Sequence, residues 1–235
     1  MKLSKGEAKK QAILTTAQEL FYQKGYEETS VQDILDILQT SKGSFYHHFE
    51  SKVELLTAIY EEKIAKALFS FQKSEQETSS PLEKLNQLFY FANPIRKNEE
   101  DFLSVFFPLL TKNDDISVAM HYLFSVEKLF TPILSTVLQQ AHDEKQAYLY
   151  YPEQMPEILF TVNNGLCIKT AKLLMEELSA EKAFSYGQFA EMFFAYRFTV
   201  ERLLDLPFGG LEIMPMKEWI SAIEKTKERI INTKQ

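Results

Sequence analysis

The chain is poor in the residues that interrupt helices or staple small domains: its 235 residues include seven Gly, eight Pro and one Cys. A lone Cys167 cannot close an internal disulfide, which excludes a stapled secreted scaffold. Scarce Gly and Pro, set between long apolar periodicities, leave little room for the frequent turns of a β-sandwich or barrel and predict an all-α protein. No apolar run approaches the roughly 18 residues a membrane helix needs. The longest, around Phe102 to Leu110, is far shorter and contains Ser104 and Pro108. The opening stretch MKLSKGEAKKQ is polar and charged, unlike a secretory signal, so a cytoplasmic location is expected. Enzyme signatures are also missing: there is no GxSxG elbow, no HExxH, no phosphate-binding Gly loop and no Cys/His cluster. His121 and His142 are too far apart in sequence to suggest a metal pair. No catalytic residue, metal or cofactor is expected.

What is present is apolar bulk with an uneven charge. Hydrophobic residues make up 45% of the chain and charged residues 25%, with 19 Phe and 11 Tyr, enough to bury a sizeable core. The net charge is −7, unpromising for a nucleic-acid partner. Residues 1–52, however, balance seven Lys against seven acids, so the whole excess lies in the remainder. Lys2, Lys5, Lys9 and Lys10 cluster at the start, as solvated helix-end charges or as a sweep along a nucleic-acid backbone.

Helical spacing divides the chain readily. A first helix over about 5–24 carries Ile13, Ala17, Leu20 and Phe21 and ends where Gly25 offers a left-handed cap. Ser30 caps a second, with Asp33 at its third position and a stripe of Val31, Ile34, Leu35 and Leu38. Ser41 opens a third of about two turns, with Phe45 inward. Ser51-Lys52-Val53-Glu54 reads as a capping box that starts a fourth helix, about 51–71. The polar segment 74–81 is a linker, and Pro81 suits the first turn of a fifth helix. Stripes at Phe102–Leu110 and Ala119–Val137 contain Pro108 and Pro132, where kinks are expected. The acidic runs Glu99-Glu100-Asp101 and Asp114-Asp115 fall at helix starts, where the dipole favours them. Two long helices over about 156–178 and 186–205, and an amphipathic one over about 216–232, complete the chain.

The densest information is in residues 29–56, TSVQDILDILQTSKGSFYHHFESKVELL. Three helix starts fall within it, and the middle segment carries Lys42, Gly43, Ser44, Tyr46 and His47 on a surface too small and polar to be core. A short helix braced by two others, with donors outward, is what a DNA major groove accepts. The spacing of Phe21, Gly25 and Tyr26, then Thr29-Ser30-Val31, Asp33-Ile34, Ser41-Lys42-Gly43, Tyr46-His47-His48-Phe49 and Ser51-Lys52, resembles the DNA-binding region of the TetR family of transcriptional regulators over about residues 9–60. The resemblance implies an N-terminal helix-turn-helix domain (1–52), joined by the long fourth helix to a larger helical ligand-binding and dimerisation domain (53–235). It implies a homodimer on a palindromic double-stranded DNA operator, most often a repressor released by a small-molecule inducer. The alternative is a helical interaction or small-molecule-binding protein that never touches DNA.

Each residue then has an expected role. Lys42 can donate to guanine, Gly43 lets the backbone approach, and Ser44 donates or accepts. Tyr46 and His47 sit where the family contacts phosphates. Lys52 and the free N–H groups at the start of the fourth helix make an anion site. Ser30 and Gln32 face the opposite phosphate wall, and Ser41 and Thr40 lie at the helix start, Thr40 equally suited to solvent. These contacts position the protein, whereas the Lys42–Ser44 turn specifies sequence. The family usually has Gly where Gln39 stands; left-handed geometry there would cost Gln on the order of 1 kcal/mol.

In the larger half, Phe102, Phe106, Phe107, Tyr122, Phe124, Phe130 and Phe160 are candidate pocket walls or ordinary core. Asn163 and Asn164, unusual within a helix, need partners if buried. Phe189, Phe193, Tyr196, Val200 and Leu203 belong to a helix apolar nearly all round, so a second subunit is expected to cover it.

Overall fold

The computed structural model describes residues 4–75, 80–112 and 116–233; Lys2, Asp114, Asp115 and residues 76–79 of the expected linker lie outside them. Among the described residues there are ten α-helices and no strands.

The first four helices follow the sequence closely. Helix α1 (Lys5–Lys24) buries Ile13, Leu14, Ala17, Leu20 and Phe21 and is closed at its start by a capping box between Ser4 and Glu7. It ends at Gly25, whose φ of 89° and ψ of 159° put it outside the left-handed helical cap expected there, in a region that glycine alone enters cheaply. Helix α2 (Val31–Leu38) has the Ser30/Asp33 box. Helix α3 (Lys42–Tyr46) has five residues, shorter than the two turns expected, because His47 and His48 form a turn rather than a second helical turn. Helix α4 (Lys52–Glu75) is longer than expected. Ser51 Oγ accepts the Glu54 N–H at 3.1 Å, but the Glu54 carboxylate reaches back to the Glu50 N–H rather than to that of Ser51.

Along α4, which packs on α1, the buried side chains pass from Leu55 and Leu56 to Ile59, Tyr60, Ile64, Ala67 and Phe71. One helix therefore carries a continuous core from the reading head into the larger half. Its later turns pack against α5 (Pro81–Ala92) and α7 (Ile116–Asp143). Helix α6 (Glu100–Thr111) packs against α7, α8 (Met155–Ser179) and α10 (Met216–Thr233), while α9 (Tyr186–Leu203) lies on α8 and α10. Both α6 and α7 continue through their prolines, Pro108 and Pro132. No described helix is long and apolar enough to cross a membrane.

Buried polar groups in the larger half are mostly paired, as burial requires. Glu177 takes Lys227 Nζ at 2.9 Å and the Ser185 N–H at 2.9 Å. The Glu201 carboxylate pins the loop after α9, accepting from Arg197 Nε and from the Gly209 and Leu211 N–H groups at 3.0–3.2 Å.

Candidate nucleic-acid interface

Phe45 is the pivot of α3. Fully buried, it meets the Phe49 ring at 6.0 Å and the edge of Tyr46 at 5.4 Å. With that side chain anchored, helical geometry turns the remaining residues outward. Ser41, Lys42, Gly43, Tyr46 and His47 are exposed, and Ser44, Thr40 and His48 are half-buried. Tyr46 is 56% exposed, its ring meeting the edge of the anchored Phe45. Ser41 Oγ accepts the Ser44 N–H at 3.3 Å, so Ser41 is a cap as well as a surface residue.

The turn before α3 sets its direction. Gln39 adopts φ 47°, ψ 49°, the left-handed geometry that the usual glycine would occupy without strain. Ser30 is committed to its cap: its Oγ donates to Asp33 at 2.7 Å, and its own N–H donates to the same carboxylate at 2.7 Å. Lys24 adds an ion pair at 2.8 Å, and these three partners hold the Asp33 carboxyl well below the usual carboxylate range. Gln32 is exposed and bonded along α2 to Asp36 at 2.6 Å.

Lys52 departs from its expected role. Its ammonium donates to the carbonyl oxygens of Tyr26 (2.8 Å), Thr29 (3.1 Å) and Glu27 (3.3 Å) and sits 4.2 Å from the centre of the Tyr26 ring. An ammonium has three donors, and the α1–α2 loop engages all of them; Lys52 fastens the loop to α4 instead of reaching for an anion.

The candidate regulatory residues also sort differently from expectation. Phe102, Phe106, Phe107, Tyr122, Phe130 and Phe160 are buried, and Phe102, Phe106 and Tyr122 pack around Tyr60 of α4 with ring centroids 5.3–5.9 Å away. Phe124 does not join them: it is 57% exposed, on the opposite side of α7 from Tyr122 and Leu123. Asn163 is a buried junction whose Oδ1 accepts from Asn93 Nδ2 (3.3 Å) and Tyr196 Oη (3.2 Å), and Asn164 donates to Glu127 (3.2 Å). Of the candidate interface residues, Phe189, Phe193, Tyr196 and Val200 are buried within their own chain, with Phe193 5.5 Å from the Trp219 ring, and Leu203 is half-buried. The large apolar side chains that α9 leaves open include Phe194 and Phe198, at 43% and 51%, and Tyr186 at its start.

The sequence reading missed the ion pairs within the larger half and between it and the reading head. Glu99, just before α6, takes both Lys63 of α4 and Arg96. Lys112 at the end of α6 pairs with Glu27 of the α1–α2 loop. The partners Lys63–Glu99 and Lys112–Glu27 are 36 and 85 residues apart, beyond any local spacing rule.

A family profile described as "Bacterial regulatory proteins, tetR family" matches residues 13–59, the span that holds α2, α3 and their supports. Residues 13–59 therefore carry a TetR-family domain. An HTH-type transcriptional regulator in the lacX 3' region of Lactococcus lactis subsp. lactis is 40% identical over 82 residues, 34% of this chain and 41% of that protein. The transposon Tn10 TetC protein of Escherichia coli is 22% identical over 152 residues, 63% of this chain and 73% of its own length. The match thus spans about two fifths of the lactococcal relative. Beyond the TetR-family domain the likeness is one of fold: the structure of Salmonella enterica GusR aligns over 87% of this chain and all of that one, with a TM-score of 0.57 at 18% identity.

Proposed function

We propose that the protein is a transcriptional regulator that binds a palindromic double-stranded DNA operator as a homodimer and, acting as a repressor in the cytoplasm, leaves it when a small-molecule inducer binds. The observation that carries this reading is the one-sided build of α3: Phe45 is sunk in the core while Lys42, Gly43, Tyr46 and His47 stand free. Lys42 and Ser44 would read base edges, with Thr40 and Ser41 beside them, and Tyr46, His47, Ser30 and Gln32 would hold phosphates. Residues 1–52 would do the reading and residues 53–235 the regulation.

The second copy would sit on the open stripe of α8 and α9. Ile158, Thr161 and Gly165 on α8 and Phe194 and Phe198 on α9 are all exposed. Exposed apolar side chains on two helices that pack together favour burial against a second copy in a twofold dimer. Two recognition helices would then need a spacing near one DNA turn, roughly 34–36 Å. Helix α4 would act as the lever, since it touches both the reading head and the aromatic cluster around Tyr60. An inducer that parts this cluster would shift α4 and spoil the spacing.

Retardation of the gene's own upstream DNA tests the proposal. The wild-type chain is expected to shift a palindromic fragment in a salt-dependent manner, and Lys42→Ala and Tyr46→Ala, folded as judged by circular dichroism, are expected to lose the shift. Failure to retard any duplex at low salt would overturn it.

A further inference from the structure

Three stretches distant in sequence, the α1–α2 loop, α6 and α10, enclose a groove of about 500 Å3. Val105, Pro108 and Leu109 of α6 and Ile230 of α10 form its apolar wall. The groove is distinct from the aromatic cluster around Tyr60 and opens at the seam between the reading head and the larger half.

Two polar features of the groove can receive a donor. Pro108 has no N–H, so it cannot donate to the Ser104 carbonyl four residues earlier, and both residues line the groove. A helix carbonyl deprived of its donor gains from any donor that reaches it. The second feature is Glu28. The lining cations are already paired, Lys24 with Asp33 and Lys112 with Glu27, whereas Glu28 is exposed and has no ion-pair partner among the described residues. An apolar wall, a carbonyl denied its usual helical donor and a carboxylate outside the described ion pairs together favour one kind of ligand: a hydrocarbon chain that ends in a donor carrying positive charge.

We propose that this groove binds a primary alkylammonium amphiphile, its chain along Val105, Pro108, Leu109 and Ile230 and its ammonium donating to Glu28 and the Ser104 carbonyl. The occupant would touch the α1–α2 loop on one side and α6 and α10 on the other. If the DNA-reading function proposed above holds, its binding and that of DNA are coupled, each altering the affinity for the other by the same factor.

Isothermal titration of the full chain with decylammonium chloride, decanol and sodium decanoate at neutral pH tests the site. Decylammonium is expected to bind once per chain, decanol about tenfold or more weaker, and decanoate not at all. Glu28→Gln is expected to weaken decylammonium about tenfold. Ser104→Phe, which fills the groove from a half-buried position, is expected to abolish binding. Pro108→Ala restores the missing N–H and is expected to lower affinity while raising the melting temperature, a combination that a merely structural proline would not give. No decylammonium binding to the wild type, equal binding of all three amphiphiles, or an unchanged affinity in Glu28→Gln would overturn the proposal. The titration contains no DNA, so failure of the regulator reading leaves its result intact, and the reverse is also true.

Discussion

Lys52 Nζ donates to the Tyr26 carbonyl oxygen at 2.8 Å, joining the start of α4 to a residue 26 positions earlier. With the Thr29 and Glu27 carbonyls it completes a three-point clasp on the loop between α1 and α2. Replacing Lys52 by Met keeps the stem and deletes the clasp. The expected cost is about 1–2 kcal/mol in urea denaturation, less than a fully buried charged hydrogen bond because Lys52 is half-exposed. The same variant separates clasp from phosphate contact. A lost phosphate contact would flatten the salt dependence of DNA affinity by about 0.9 in log–log slope, whereas a lost clasp leaves the slope unchanged.

Gln39 holds φ 47° before α3. Gln39→Gly is expected to stabilise the protein by about 0.5–1 kcal/mol, since relief of left-handed strain exceeds the added freedom of the unfolded chain. Thermal denaturation of the two proteins side by side checks the sign. A loss of stability would mean that the Gln side chain contributes more than its backbone costs.

Asp33 should make stability sensitive to acid. Its carboxyl is depressed first by the Lys24 contact, then by the Ser30 hydroxyl and the Ser30 N–H. A depressed folded-state value means that the stabilisation is fully present above the unfolded carboxyl value of about 3.9 and fades as the pH falls below it. Following the Asp33 carboxyl by NMR across pH 2–6 should show it still ionised where ordinary aspartates have protonated. Asp33→Asn should remove that share of the acid sensitivity.

Tyr60 is buried among Phe102, Phe106 and Tyr122, and its hydroxyl has no hydrogen-bond partner among the described residues. Removing an unsatisfied buried polar atom should help: Tyr60→Phe is expected to raise stability by about 1 kcal/mol. A destabilised variant would reveal a partner for the hydroxyl.

Cys167 is buried in α8, and burial alone pushes its thiol far above the ordinary range. Only the thiolate is nucleophilic, so an aromatic disulfide reagent should leave the folded protein unmodified and label one thiol per chain in denaturant. Rapid labelling of the native protein would contradict the packing of α8 described here.

How much of this was legible from residue order depends on the range of the interaction. Ser4, Ser30 and Ser41 cap their helices through bonds to residues three positions on, and Ser30, Phe45 and the start of α4 could be read from that spacing. Phe124 belongs with these: two positions after Tyr122 it lies roughly 200° round α7, off the buried stripe, so periodicity places it outside and its grouping with the pocket walls was a misreading. For α9 periodicity is silent: it was readable as a helix with apolar residues on every side, yet the side taken by its own chain proved to be Phe189, Phe193, Tyr196 and Val200, leaving Phe194 and Phe198 outside. Lys52 shows a second limit: a cation at a helix start looks the same whether its donors face an anion or three carbonyls of a distant loop.

The groove between Gly25 and α10 also bears on synthesis. Thr233, in the last turn of α10, lies 3.9 Å from where a side chain on Gly25 would begin. The reading head, synthesised before the larger half, is thus seated against the last of the described helices to emerge. A nascent chain halted before residue 216 would already hold a folded reading head, since domains form in order of emergence, but the groove beside its α1–α2 loop would lack the α10 wall. Truncated translation products are therefore a different species from the full chain, able to form the helix-turn-helix with that groove open on one side.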